Sequence, residues 1–130
     1  MPEQEDSPLW WPITRLREAF RRGELSPVEV LEETLARIAR FNPSLNAYLD
    51  CLDEQAREQA KTAERLFRKP TVEIPPLCGI PISIKDTFEL AGSITTYGSA
   101  LYRENRTEQD CGLVKRLRAA GAVFPGKTNA

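Results

Sequence analysis

The sequence contains no histidine. Proton transfer in this chain must therefore do without imidazole, the side chain that most often works as acid and base near neutral pH. Cysteine is scarce too. Cys51, Cys78 and Cys111 are odd in number, lie far apart and form no C-x-x-C pair, so a zinc site would need carboxylates to complete it. No metal or other cofactor is expected. Reduced thiols in a cytoplasmic compartment are the simplest reading. No apolar stretch approaches the roughly 20 residues that span a bilayer. Residues 1–12 are acidic and proline-containing, unlike a secretory signal, and Trp10 and Trp11 are expected to cap a core rather than anchor in lipid. Eighteen basic residues against nineteen acidic ones leave a formal charge of −1. That balance offers no overall basic field for nucleic acid. Neither a membrane nor a direct nucleic-acid partner is expected.

What is present fits a small soluble α/β protein. The 130 residues allow one modest core. Residues 1–12 are expected to form a flexible tail and residues 13–68 a helical portion. Ile13, Leu16, Ala19 and Phe20 recur at helical spacing and stop at Gly23. Ser26-Pro27-Val28-Glu29 combines a capping serine, a first-turn proline and a glutamate placed to close a capping box. From there Val28, Leu31, Leu35 and Ile38 make an apolar stripe, and Asn42-Pro43 is expected to end the helix near Phe41. A third helix is expected from about Asp53 to Phe67, with Ala56, Ala60, Ala63 and Leu66 inward. The arginines at 15, 17, 21 and 22 read as a solvated helix face. Residues 69–76 read as a linker, and residues 77–130 as the start of an α/β core. There a strand over 80–85, a helix over 111–120 with Leu113, Val114, Leu117 and Ala120 inward, and a strand at 122–124 form the pattern of a parallel crossover. Asp110 is the expected N-cap of that helix and Gly121 its stop.

Lys85 is the leading candidate for proton-transfer chemistry. Ile80, Ile82 and Ile84 alternate as one buried strand face, and Pro81, Ser83 and Lys85 point the other way. If that second face is also covered, Lys85 sits where water is scarce. Desolvation disfavours an ammonium ion, so a buried lysine gives up its proton more readily and can act as a general base.

Three blocks carry a family resemblance. They are residues 76–86, with Gly79-Ile80-Pro81 ahead of Lys85-Asp86; Thr95-Thr96-Tyr97-Gly98-Ser99; and residues 119–129, ending Gly126-Lys127-Thr128-Asn129. In order and spacing this set resembles the amidase signature family, over nearly everything after about Thr14. The resemblance implies a mixed-sheet α/β fold in which N-terminal helices precede the first strands and helix of the core. It also implies hydrolysis of carboxylic amide C–N bonds by a serine, a second serine with a cis peptide bond, and a lysine. That lysine maps onto Lys85. A small-molecule amide is the implied substrate.

No glycine- and serine-rich run that would supply the two serines occurs in the 130 residues. The few expected strands also leave raw sheet edges. The chain is accordingly expected to be the N-terminal, truncated portion of a larger enzyme, a partial amidase signature domain over 1–130. Ser83 reads as packing or a supporting hydrogen bond, Asp86 as structural at the strand end, and Cys78 as a small buried hydrophobe. Ser99, Thr128 and Asn129 are assigned no chemistry. Two alternatives stay open: the A subunit of a tRNA-dependent glutamine amidotransferase, and a catalytically dead remnant serving as a non-enzymatic module.

Overall fold

The computed structural model describes residues 7–69 and 72–130. After a single 3-10 turn at Pro8–Trp10 come α1 (Ile13–Arg22), α2 (Pro27–Leu45), β1 (Tyr48–Cys51) and α3 (Asp53–Phe67). Then follow β2 (Ile84–Lys85), β3 (Ser93–Ile94), a 3-10 turn at Ala100–Tyr102, β4 (Arg106–Thr107), α4 (Gly112–Ala119) and β5 (Gly126–Thr128). None of the described helices is long and apolar enough to cross a membrane.

The caps anticipated from sequence set the helical portion. Gly23 ends α1 in the left-handed region at φ 71°, and its amide donates back to the carbonyls of Ala19 and Phe20. Ser26 and Glu29 close a reciprocal capping box on α2. The alanine face of α3 then allows a close approach, because Ala56 and Ala60 have no accessible surface left against Leu31 and Leu35 of α2. Phe20, Leu16, Val30 and Ile80 form the neighbouring apolar cluster, with Leu9 and Trp11 packed against it. Part of the expected flexible tail, residues 1–6, lies outside the described residues; Leu9 and Trp11 join the packing.

Two expectations for this portion need correction. First, α2 does not stop near Phe41 but runs through Pro43 to Leu45. Asn42 clasps the backbone of Tyr48, its Oδ1 accepting from the Tyr48 amide at 2.8 Å and its Nδ2 donating to the Tyr48 carbonyl at 3.0 Å. Asn46 then closes the helix at φ 51°, a conformation asparagine tolerates better than most residues. Second, residues 13–68 are not wholly helical, because β1 interrupts them. Its pattern is brief and puts an acid on the inward side, where the Asp50 carboxylate accepts from the Ile94 amide at 2.8 Å.

β1, β5 and β2 form a mixed sheet in that order. β2 and β5 run parallel, with Ile84 opposite Lys127 and Lys85 opposite Thr128, and α4 lies on the crossover between them. β1 pairs antiparallel on the other side of β5. The crossover agrees with the sequence reading, but its strands are shorter and displaced. The expected strand over 80–85 survives as a bridge between Pro81 and Val123 followed by the two residues of β2. The expected strand at 122–124 gives way to β5, which begins at Gly126. Pro125 has no N–H with which to continue the ladder from the Pro81–Val123 bridge, and the register shifts by one residue between the two pieces. On one side of the sheet Ile84, Leu90, Val114 and Phe124 pack with Leu52; Val123 faces α2 and α3. Leu113, expected inward, is 45% exposed, since α4 turns only Val114 fully toward the core.

Gly121 does follow α4, and its geometry leaves room for nothing larger. It holds φ 92°, and a Cβ there would meet the Cα of Cys78 at 2.7 Å. Asp110, by contrast, is not the N-cap; Cys111 occupies that position with no side-chain bond. The Asp110 carboxylate instead accepts from Arg118 Nε at 2.6 Å, from Arg118 Nη2 at 3.0 Å and from the Ala91 amide at 2.8 Å. The hydrogen-bonded Arg118 guanidinium holds its pKa below the usual aspartate value, partly opposed by burial. A depressed carboxylate contributes stability above its unfolded-state pKa, and loses it as pH falls through the native value. Asp110→Asn should therefore cost about 1–2 kcal/mol near neutral pH. Urea titrations of the two proteins should show that gap closing as the pH drops below about 4.

Candidate active site

β2 delivers two consecutive side chains to opposite faces of the sheet. Ile84 enters the core, 3% exposed, and Lys85 emerges on the other side into solvent. The expectation that burial surrounds Lys85 is not met within these 130 residues, because no described element lies over that face. Its backbone is nevertheless tightly held. The Lys85 carbonyl accepts from the Phe88 amide at 2.9 Å. The next amide, of Asp86, donates to the Thr128 carbonyl at 2.9 Å, and the Asp86 carbonyl accepts from Tyr97 at 3.1 Å.

The lysine that burial does surround is Lys127 on β5, with no accessible surface at all. Its Nζ donates to Thr95 Oγ1 at 2.9 Å and to the Ile94 carbonyl at 3.3 Å, and it faces Asp86 Oδ1 at 3.5 Å. Asp86 is itself 1% exposed. Its Oδ1 accepts from the Thr96 amide at 3.0 Å and its Oδ2 from the Thr96 hydroxyl. Burial pushes the Lys127 ammonium below the ordinary lysine value, and the negative charge of Asp86 works against that shift. The cluster is fully satisfied: no buried side-chain nitrogen or oxygen among the described residues lacks a partner.

Lys127 therefore has a role that sequence reasoning missed. The signal was available in the run Ala122-Val123-Phe124-Pro125-Gly126, every member of which is buried. A lysine that continues such a run must itself be buried and needs an acid nearby. Asp86, read as a structural strand-end residue, is that acid.

The contacts of the remaining candidates define their roles. Ser83 pairs its hydroxyl with the phenol of Tyr48, which agrees with a supporting hydrogen bond. Ser99 caps the 3-10 turn at Ala100–Tyr102, accepting from the Leu101 amide. The Asn129 amide donates to the carbonyl of Ala47 at 2.8 Å, tying the end of β5 to the start of β1. Cys78 is 1% exposed, and burial pushes its thiol pKa up, opposite to what a nucleophile requires. An apolar groove of about 660 Å³ runs between α1, α2 and residues 80–83; Ser83 and Tyr48 lie on its lining and Lys85 does not. No group of three or more potential metal ligands comes together among the described residues.

Known proteins resemble this chain in sequence and in fold. The family model described as Amidase matches residues 29–130. The A subunit of the glutamyl-tRNA(Gln) amidotransferase of Symbiobacterium thermophilum is 37% identical over 115 residues, covering 88% of this chain and 24% of that protein. A putative amidase, AmiB2, of Mycobacterium tuberculosis is 45% identical over 107 residues, covering 82% and 22%. Among solved structures, the native peptide amidase of Stenotrophomonas maltophilia superposes with a TM-score of 0.84 at 33% identity, covering 92% of this chain and 25% of that one. The chain thus spans about a quarter of the length of the relatives it matches.

If Cys78 is a packing residue, alkylation should read that directly. Iodoacetamide at neutral pH is expected to label the exposed Cys51 first, and Cys78 only at the rate of unfolding. Peptide mass spectrometry showing Cys78 modified as fast as Cys51 would return it to the list of nucleophiles.

Proposed function

Because the chain belongs to the amidase family, we propose that it is the N-terminal part of a hydrolase of carboxylic amide C–N bonds, with Lys85 as its general base. The observation that carries this reading is the placement of Lys85. It stands at the end of a sheet strand, its backbone fixed on both sides, its side chain free to meet another segment. Lys127, the other lysine of the sheet, is enclosed by its own partners and has no surface to offer a substrate.

In this reading the Lys85 amine accepts a proton from the serine bearing the cis peptide bond. That serine in turn accepts the proton of the nucleophilic serine as its oxygen attacks the amide carbonyl. The C–N bond breaks as the proton returns along the same route to the departing nitrogen. Water then cleaves the acyl-enzyme ester, the acid is released and the serine is regenerated. Both serines would come from outside residues 1–130, in the three quarters of the relatives' length that this chain does not span. The same missing portion would cover the exposed face around Lys85, and covering it is what lets a lysine serve as a neutral base. The free thiols agree with a cytoplasmic location as part of the same proposal.

A second reading is favoured by the relatives named as the A subunit of glutamyl-tRNA(Gln) amidotransferase, which match at 37% to 42% identity. The chemistry at Lys85 would be the same, with glutamine as the amide and further subunits as partners. Release of ammonia from glutamine only in the presence of co-purifying subunits would select it over a free-standing amidase.

Two assays test the proposal. The 130-residue chain by itself should show no turnover of an aryl amide above a Lys85→Ala control, since a base without nucleophile and oxyanion donors lacks the larger part of the acceleration. In the complete enzyme, Lys85→Ala should lower kcat by about 10²–10⁴-fold with the circular dichroism spectrum unchanged. Lys85→Arg should fail comparably, because a guanidinium stays protonated at any working pH. Near wild-type rates in either variant would leave Lys85 a strand-end lysine and require another base for the hydrolysis.

A further inference from the structure

The Lys127 cluster meets the backbone of Lys85 at its next residue. Asp86 belongs to two systems at once. Its main chain anchors the end of β2 to Thr128 and to Tyr97, while its carboxylate gathers Thr96 and Lys127. Lys127 also holds the two residues before Thr96, through the Ile94 carbonyl and Thr95 Oγ1. Segment 94–97 is therefore fastened to β5 by one ammonium group and to β2 by one carboxylate. It needs fastening: Tyr97 adopts φ 53°, a left-handed conformation unfavourable for an aromatic residue, immediately after Thr96. β2 itself contributes only two residues of ladder. The end of β2 is thus held by this clasp as well as by the sheet.

We propose that Lys127 is a positioning residue for amide hydrolysis, acting through Asp86 and the Thr95–Thr96–Tyr97 turn to fix the end of β2 and hence the course of the Lys85 side chain. The assignment rests on the reading of Lys85 as general base. Lys127 itself touches no reacting atom. With the ammonium gone, the Asp86 carboxylate would stand buried without a cation. It would turn outward or take up a proton, and either response loosens Thr96. Three charged or titratable groups act on Lys127, namely Asp86, Asp50 of β1 and the Cys111 thiol.

The test is made on the complete enzyme with an aryl amide, kcat being referred to active sites counted by an acylating titrant. Lys127→Met should lower kcat by about 10- to 100-fold, the scale of a roughly 1 Å misplacement, while KM moves far less. Asp86→Asn combined with Lys127→Met, which removes both buried charges, should recover part of the loss. Thr96→Val leaves the ion pair in place and cuts the hydroxyl link to Asp86, so it should lower kcat in the same direction even if Lys127→Met fails to fold. The decisive comparison is made in a Lys85→Ala background, where a residue acting through Lys85 has nothing left to position. There Lys127→Met and Thr96→Val should leave the residual rate unchanged. An equal loss in both backgrounds, or wild-type kcat per active site in both variants, would overturn the proposal while Lys85 kept its role. Full activity of Lys85→Ala alone would instead remove the reading beneath it.

Discussion

A buried ammonium group cannot be left alone, and that constraint organises the core of this protein. Lys127 sits on the central strand of the mixed sheet without any contact with water. Stranding it there would cost several kcal/mol, so three acceptors must converge on it. They come from segments far apart in sequence: Asp86 after β2, Ile94 of β3, and Thr95 just beyond it. The requirement for partners thus fixes where the chain between β2 and β4 must pass. A hydrophobic residue in place of Lys127 could fill the volume, but it would make no such demand on the neighbouring segments.

The same sheet carries its two lysines on different terms. Alternation along β2 buries Ile84 and exposes Lys85. The parallel register sets Lys127 beside Ile84 rather than beside Lys85, so the enclosed charge and the accessible one belong to successive rungs. One lysine is committed inside the molecule and the other remains available outside it. The three acceptors around Lys127 keep it from any contact outside the core, whereas Lys85 makes none of those contacts.

Much of this was legible before the fold was known, wherever a local rule acts alone. The capping box at Ser26 and Glu29, the glycine stop at Gly23 and the alanine face of α3 all appear where nearest-neighbour physics places them. What escaped was decided by contacts outside the element concerned. Pro43 ought to break a helix, and does not, because Asn42 reaches β1. β1 is too short to announce itself and turns an acid inward because Ile94 supplies a donor. Asp110 looks like a cap, yet Arg118 and Ala91 claim its oxygens. The position of Lys85 at a strand end could be read from alternation, but not its exposure, which depends on what lies above the sheet. Lys127 was hidden for the converse reason: its side chain is the most polar of a run whose burial was plain, and partners from Asp86, Ile94 and Thr95, more than 30 residues away, make it tolerable.

The linker leading into β2 is held by a surface contact and by close backbone packing. Arg17 of α1 donates one amino group to the carbonyls of Pro75 and Pro76, two acceptors that no helix or strand occupies. Immediately beyond, Leu77 donates to the Ala120 carbonyl and Gly79 to that of Gly121, so the entry to β2 is stitched to the end of α4. Gly79 and Gly121 both hold positive φ at this seam. A side chain at Gly79 would meet Pro27 at 2.7 Å, and one at Gly121 would meet the Cys78 backbone. The seam places Pro81 opposite Val123; Ile84 lies three residues further on and Lys127 four, so one extra residue is taken up on the β5 side between the two pairings. A one-residue slip would move Lys85 to the buried face and Ile84 to solvent. Close glycine packing seats the first pairing and the ion pair seats the second, and the two differ by one residue in register. The register at Lys85 is therefore held on the far side of that extra residue, where the Asp86 amide donates to the Thr128 carbonyl and Lys127 faces the Asp86 carboxylate.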